Sequence, residues 1–258
     1  ITVTLSDSLQ ALAEGCFYGC SSLKEMVLPE GLLTIMRDVF NGCTALTSVR
    51  LPATLTRLEV GAFRDCASLT SVEVPEGVTE LKERTFDGCV ALATVSLPAS
   101  LRRIGTSAFN GCISLSEIAL PGHITDIGAS AFSGCIALAK IELPQSLQTL
   151  DSNVFSGCTA LEQVKLPTAL TILTDSCFRD CVSLTEIYLP QSAAAVEKFC
   201  FAGCESLQNI YLGEQIESIG SYSFYMCDSL ESIYIPPSVK NIGEYAFGFT
   251  QHDNEQIQ

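Results

Sequence analysis

The chain has 258 residues and a formal net charge of -15, because 29 Asp and Glu side chains oppose 14 Lys and Arg. This charge argues against sequence-independent nucleic-acid binding and against docking on an anionic membrane, since both need a basic surface. Hydrophobic residues make up 47% of the chain, which suffices for a core, and no apolar run reaches the length of a membrane span. The sequence begins at Ile1 without a basic and apolar leader, so we expect an excised piece whose signal peptide lies outside it.

A repeat of 23 residues runs through the sequence. Phe recurs at this interval from Phe17 to Phe247, and Cys recurs from Cys20 to Cys227. Ten complete repeats fill residues 20–249, and a truncated copy fills residues 1–19. A period this regular predicts a solenoid of about eleven coils, in which neighbouring coils bury each other's apolar side chains. We therefore expect one domain over residues 1–250, followed by a polar tail at 251–258.

Within one coil, the residue pattern predicts the order of strands and turns. In the repeat 112–134, Ile118 and Leu120 alternate with Glu117 and Ala119, which indicates a short strand with one face inward. Pro121 ends this strand, because proline cannot donate to a parallel ladder. A turn follows, and then a second extended stretch with Ile124 and Ile127 inward. The segment Ala-Phe-x-Gly-Cys at 131–135 closes the coil as a turn or a short 3₁₀ piece.

The repeat resembles the BspA-like class of leucine-rich repeats. The pattern L-x-x-[VI]-x-L-P followed by I-G-x-x-A-F-x-x-C is nearly complete between Leu115 and Cys135. The resemblance implies a right-handed, curved solenoid with a parallel β-sheet on its concave face, and mostly turns and short strands on the other side. It also implies export, since many members are surface proteins of bacteria or parasitic protists associated with adhesion. It supplies no catalytic residue, no cofactor site and no ligand-specifying residue.

The thirteen cysteines are expected to be reduced. Ten of them share the 23-residue period, so each has identical neighbours above and below and no unique disulfide partner. We predict a buried column of thiols that fills core volume, because Cys is a small and readily buried residue. The three extra cysteines (Cys16, Cys177 and Cys200) stand in a position that holds Ala or Val in most other repeats, so we expect them to be buried too. A metal site built from Cys177, Cys181, Cys200 and Cys204 is the disfavoured alternative, because structural zinc sites use tighter spacings.

The sequence does not predict an enzyme. His123 and His252 are isolated in a turn and in the polar tail, the carboxylates show no paired register, and the glycines serve the repeated turn. No metal and no cofactor is expected. Without a catalytic constellation, the strand face is the candidate for function.

The candidate ligand site lies on the outward strand positions near the C-terminal end. Tyr188, Tyr211 and Tyr234 occupy the same position on three consecutive coils and are expected to form an exposed ladder flanked by Glu186 and Asn209. Tyrosine is a favoured hot-spot residue, although it also suits a strand, so the stacked rings could serve packing alone. We also expect a local bulge or a slight bend at 193–195, where three alanines reduce the apolar volume.

These features predict a secreted or cell-surface module that binds a protein through the concave sheet, for example a host or extracellular-matrix protein. No nucleic acid and no membrane insertion is expected. A structural spacer for another domain and a carbohydrate-binding surface are the two alternatives.

Overall fold

The structure is a computed structural model that describes residue 3 and residues 5–249. Two sets of short strands recur along the chain, one set three residues long and the other two residues long. The three-residue strands are β2 (Glu25–Val27), β4 (Ser48–Arg50), β6 (Ser71–Glu73), β8 (Thr94–Ser96), β11 (Lys140–Glu142), β12 (Gln163–Lys165), β14 (Glu186–Tyr188) and β16 (Asn209–Tyr211). The two-residue strands are β1 (Ala11–Leu12), β3 (Thr34–Ile35), β5 (Arg57–Leu58), β7 (Glu80–Leu81), β9 (Arg103–Ile104), β10 (Asp126–Ile127), β13 (Ile172–Leu173), β15 (Ala195–Val196), β17 (Ser218–Ile219) and β18 (Asn241–Ile242). The described residues contain no helix.

Every strand pair is parallel, and every pairing joins residues 23 apart in the chain. Each repeat therefore forms one coil of a solenoid, as the period predicts. The three-residue strands line the concave face and pair two by two, as β2 with β4, β6 with β8, β11 with β12 and β14 with β16. The two-residue strands form longer ladders, of which β13-β15-β17-β18 has four members.

The predicted strand at 117–120 is wrong in one respect. Ile118 is buried as expected, but residues 117–119 lie between β8 and β11 without joining either ladder. The alternation of one repeat specifies which side chains point inward. The ladder depends in addition on the spacing between coils, about which that alternation carries no information.

The core is a continuous column that extends from Leu12 to Ala246. Its centre is the row of periodic phenylalanines, whose rings stack from Phe17 to Phe247 with centroids 5.1–5.7 Å apart. Nine of these rings, from Phe40 to Phe224, are fully buried. The inward positions Ile124 and Ile127 are buried as well, so the predicted second extended stretch is confirmed.

The segment around each periodic Phe, here called the closing turn, has a fixed backbone conformation. Left-handed residues stand two positions before and two positions after the Phe, as Ser130 (φ 56°) and Gly134 (φ 71°) do around Phe132. Backbone bonds such as Phe109 N–H to Ala131 C=O, at 2.8 Å, join each closing turn to the next coil. Gly suits the second position because it adopts this φ without steric cost.

The thiol column is confirmed for the interior of the solenoid, where eleven cysteines are buried, and all thirteen are free. The expectation for Cys16 is wrong, since its side chain is exposed, and Cys20 is half-buried. Both lie in the first coils, where fewer neighbouring residues cover the position. Cys177 and Cys200 are fully buried, as predicted for a small, apolar position.

The alanine-rich segment at 193–195 contains no bulge. Ala195 pairs with Ile172 on one side and Ser218 on the other, in the same register as the rest of the ladder. Backbone bonds of 2.8 Å from Ala194 N–H to Thr171 C=O hold this coil in line. The main-chain ladder therefore tolerates the reduced side-chain volume. The boundaries 1–250 and 251–258 stay predictions, and the tail with His252 lies outside the described residues.

Candidate functional site

The strand pair β14–β16 brings Tyr188 and Tyr211 together on the concave face. The two residues are register partners, and so are Glu186 and Asn209. The tyrosine rings stack with centroids 4.3 Å apart and planes within 6° of each other. Both side chains remain about half exposed, at 58% and 47%. Stacking therefore orders an aromatic surface without removing it from solvent.

The polar groups of this site reinforce the order. The Tyr188 hydroxyl donates to a Glu186 carboxylate oxygen at 3.2 Å. The pKa of Tyr188 is raised to about 12. The largest cause is the hydrogen bond with the Tyr211 side chain, and smaller contributions come from partial desolvation and from the negative charge of Glu186. Tyr188 is thus a neutral hydrogen-bond donor throughout the physiological range.

The third member of the expected ladder stands apart. Tyr234 is 64% exposed, but its ring does not stack on Tyr211, and residues 232–234 join no described ladder. Two of the three predicted rings therefore come together. Without the backbone pairing that aligns β14 with β16, the equivalent position on the next coil does not bring its ring into contact.

A groove of about 760 Å³ lies beside the tyrosine pair on the same face. Residues from five consecutive coils line it, from Thr94 to Tyr188. Its floor includes Val95 and Val164, which are only partly buried. A concave surface with an apolar floor and a few polar groups has the ordinary chemistry of a binding site.

Sequence reasoning missed a second aromatic cluster, which lies at the closing turns of the last three coils. The left-handed position before the periodic Phe holds Phe199, Tyr222 and Tyr245 there, whereas Asp, Asn, Ser, Gly or Arg stands there in all other coils. The three rings stack at 4.9 and 5.2 Å. Bulky residues are uncommon in this conformation, so the change of residue type at one repeat position was the available signal.

The structure shows no arrangement suited to metal chemistry within residues 3 and 5–249, since no three His, Cys, Asp or Glu side chains there could hold an ion. The buried thiols are also poor ligands and nucleophiles in this state, because desolvation raises the pKa of Cys181, Cys200 and Cys204 well above its ordinary value. His123 lies exposed in its turn. Within the same residues, no helix is long and apolar enough to cross a membrane.

The repeated coil, the phenylalanine row and the closing turn agree with comparisons to known proteins. The family described as "BspA type Leucine rich repeat region" matches this chain in six copies, over residues 1–112, 79–197 and 171–257. The chain belongs to this family. A search of the curated proteins gave no match.

Solved structures of this family class share the fold. A leucine-rich repeat protein from Bacteroides ovatus is 25% identical, with a TM-score of 0.63 over 85% of this chain and 83% of that chain. The leucine-rich repeat protein of T. pallidum is 25% identical, with a TM-score of 0.50 over 83% and 86%. The pneumococcal vaccine antigen PcpA is 20% identical, with a TM-score of 0.54 over 88% and 73%. The similarity identifies the present chain as a leucine-rich repeat solenoid.

Proposed function

We propose that this BspA-type chain is a secreted or cell-surface module that binds a partner protein through its concave face. The observation that carries the proposal is the ordered but exposed pair of Tyr188 and Tyr211 beside the groove. Rings already held by stacking lose little side-chain entropy when a partner covers them. Tyrosine also combines apolar area with a polar tip, which suits it to the centre of an interface.

Adhesion to host or neighbouring-cell proteins is the finer form of the proposal. It is supported by what the family resemblance implies and by the inert state of the thiols. Eleven of the thirteen cysteines are buried, so the chain can keep free thiols in an oxidising extracellular medium. Labelling intact cells of the source organism with an antibody to this chain tests the location. Signal only after the cells are permeabilised would contradict it.

A carbohydrate-binding surface and a structural spacer are the two alternative functions, and one binding screen separates them from the proposal. Stacking covers one face of each tyrosine ring and so leaves less ring face for a sugar, which makes a glycan ligand less well supported than a protein. A spacer would bind neither. The screen is an array of extracellular-matrix proteins and glycans probed with the chain, and we expect protein ligands to be retained. Glycans retained without proteins, or nothing retained, would contradict the proposal.

The site is tested with matched variants once the array supplies a protein ligand. The double variant Tyr188→Ser and Tyr211→Ser should weaken binding by about thirtyfold, as expected for a hot spot. The control is Tyr18→Ser with Tyr245→Ser, which removes two comparably exposed tyrosines outside the concave strands. Tyr234→Ser should weaken binding less than the Tyr188 and Tyr211 double variant does, because Tyr234 lies outside the stack. Equal losses in both double variants would move the site away from the concave face.

A further inference from the structure

The groove contains a lysine whose charge is not used by the protein itself. Three cationic side chains project from the concave strands, namely Arg50, Lys140 and Lys165. Arg50 pairs with Glu30 at 3.3 Å, and Lys165 pairs with Glu142 at 2.7 Å. Lys140 is exposed and has no ion-pair partner in the part of the chain that the structure describes. In a chain of net charge -15, this is an available positive charge in the groove on the concave face.

The carboxylates around Lys140 do not neutralise it. Glu142 lies two residues further along β11 but is engaged by Lys165. Glu186 accepts from the Tyr188 hydroxyl, and Glu117, on the preceding coil, forms no ion pair with Lys140 within the described residues. Each of these acids lines the groove, so the lysine is surrounded by negative charge at a longer range. This setting favours a ligand with a single negative charge, since a polyanion would be repelled by the three acids.

The shape of the groove favours a narrow, elongated ligand. Ala119 lines the groove in the same outward row as Glu142 and Lys165, and its small side chain leaves a hollow in that row. The partly exposed Val95 lies at this end of the groove. Five coils spaced by about 4.8 Å span roughly 19 Å, which is the length of about six residues of extended chain.

We propose that the groove binds an extended segment of a partner protein, with an Asp or Glu side chain of that segment on Lys140. A small apolar side chain of the same segment fills the hollow at Ala119. The segment reaches the tyrosine pair at its other end, because Tyr188 lines both the groove and the stack. This inference rests on the proposed function and specifies the chemistry of the partner at that face.

The test is a random twelve-residue peptide library displayed on phage and selected on the whole chain. The selected peptides are then measured on Lys140→Glu and on the control Lys198→Glu, which makes the same charge change at an exposed lysine of a closing turn. We expect enrichment of Asp or Glu at one position, more than tenfold weaker binding to Lys140→Glu, and unchanged binding to Lys198→Glu. Replacing the enriched acid by Lys should restore binding to Lys140→Glu. Thermal unfolding of both variants checks that the solenoid is intact.

Steric filling of the hollow gives a second readout that does not change charge. Ala119→Tyr should block the selected peptides, whereas Ala194→Tyr, at an exposed alanine outside the concave strands, should not. Peptides without an enriched acid, or with equal affinity for Lys140→Glu, would overturn the inference. If such peptides no longer bound the Tyr188 and Tyr211 double variant, the proposed concave interface would stand without the lysine contact. Peptides that bind all of these variants as well as the unchanged chain would contradict both the concave interface and the lysine contact.

Discussion

The Cys135 thiol donates a hydrogen bond to the backbone carbonyl of Phe109, 26 residues earlier in the chain, with 3.2 Å between Sγ and oxygen. The same carbonyl accepts the Cys112 backbone N–H at 3.1 Å, which closes the turn of its own coil. One oxygen thus holds the turn together and anchors the next coil. The bond recurs for nine cysteines, from Cys43 to Cys227, at 3.1–3.2 Å.

This geometry explains why the column uses cysteine. The position is fully buried and apolar, so it requires a small side chain that is cheap to desolvate. A thiol meets that requirement and still supplies a weak donor to the second lone pair of the phenylalanine carbonyl. Alanine would lose the donor, and serine would bring a more strongly hydrated hydroxyl into the core.

The first prediction concerns thiol reactivity in the native protein. We expect only Cys16, with slower reaction of Cys20, to be modified by a thiol reagent at neutral pH, because the other eleven are buried. Denatured protein should react at nearly all thirteen positions. The measurement is a count of modified thiols by mass spectrometry before and after denaturation. Cys16→Ser is the control, since it should remove the fast phase.

The thiol column would be refuted by one result in particular. If denaturation under non-reducing conditions exposed few reactive thiols, most cysteines would already be oxidised. Rapid modification of Cys112 or Cys135 in the native state would instead show that the column opens readily.

The second prediction is a loss of stability at alkaline pH. Burial raises the pKa of Cys43 from its ordinary value of 9.0 to about 11, and raises that of Cys112 and Cys135 well above 9.0. A thiol whose pKa is higher in the folded state contributes its full stabilisation below pH 9. This contribution is lost as the pH rises above 9, because only the unfolded chain then releases the proton. The free energy of unfolding should fall by about 1.4 kcal/mol per pH unit for each such thiol.

Urea unfolding between pH 8 and pH 10.5 measures this slope. The double variant Cys112→Ala and Cys135→Ala should be less stable at neutral pH but should lose stability more slowly above pH 9. All other ionisable side chains are the same in both proteins, so the comparison isolates the thiols. Identical slopes would mean that the buried thiols ionise in the folded state.

Much of this fold follows from the 23-residue period. The repeat positions that Leu138, Ile141 and Phe132 represent recur along the chain and fix which side chains point inward. All three of these residues are buried. The period could not show where hydrogen-bonded ladders stop, since residues 117–119 have the same alternation as β11 but no pairing. Backbone pairing also depends on how closely two coils approach each other, which the side-chain alternation does not specify.

The candidate site was less predictable than the core. Outward positions are free of packing constraints, so the pattern located Tyr188, Tyr211 and Tyr234 on one face but could not tell which rings would meet. The availability of Lys140 was likewise hidden, because it depends on which partner each neighbouring carboxylate takes. Surface geometry of this kind is set by side-chain rotamers and local pairing, for which a repeat carries little information.

The third prediction concerns the phenylalanine row. Phe132 stacks on Phe109 at 5.4 Å and on Phe155 at 5.7 Å, and it is fully buried. Phe132→Ala should therefore cost about 3–5 kcal/mol, because the stacked coils cannot collapse into the cavity. Phe17 stacks on one ring, at 5.5 Å from Phe40, and is partly exposed, so Phe17→Ala should cost less. Chemical denaturation of both variants gives the comparison, and equal losses would show that stacking on both sides adds nothing.

The last prediction tests how closely adjacent coils approach each other at the start of the closing turn. A Cβ atom added at Gly128 would lie 2.6 Å from the Thr106 backbone nitrogen, a distance at which the main chain must move. Gly128→Ala should therefore destabilise the protein by about 1–3 kcal/mol. Gly122 belongs to the same coil, but an added Cβ would meet nothing within 4 Å, and its φ is outside the left-handed region. Gly122→Ala should be neutral or stabilise by less than about 1 kcal/mol, since alanine restricts the unfolded chain. Urea unfolding midpoints of the two variants decide the matter. If Gly128→Ala were as stable as Gly122→Ala, the coils would be separated by more than the structure indicates, and the choice of glycine at this position would need a different cause.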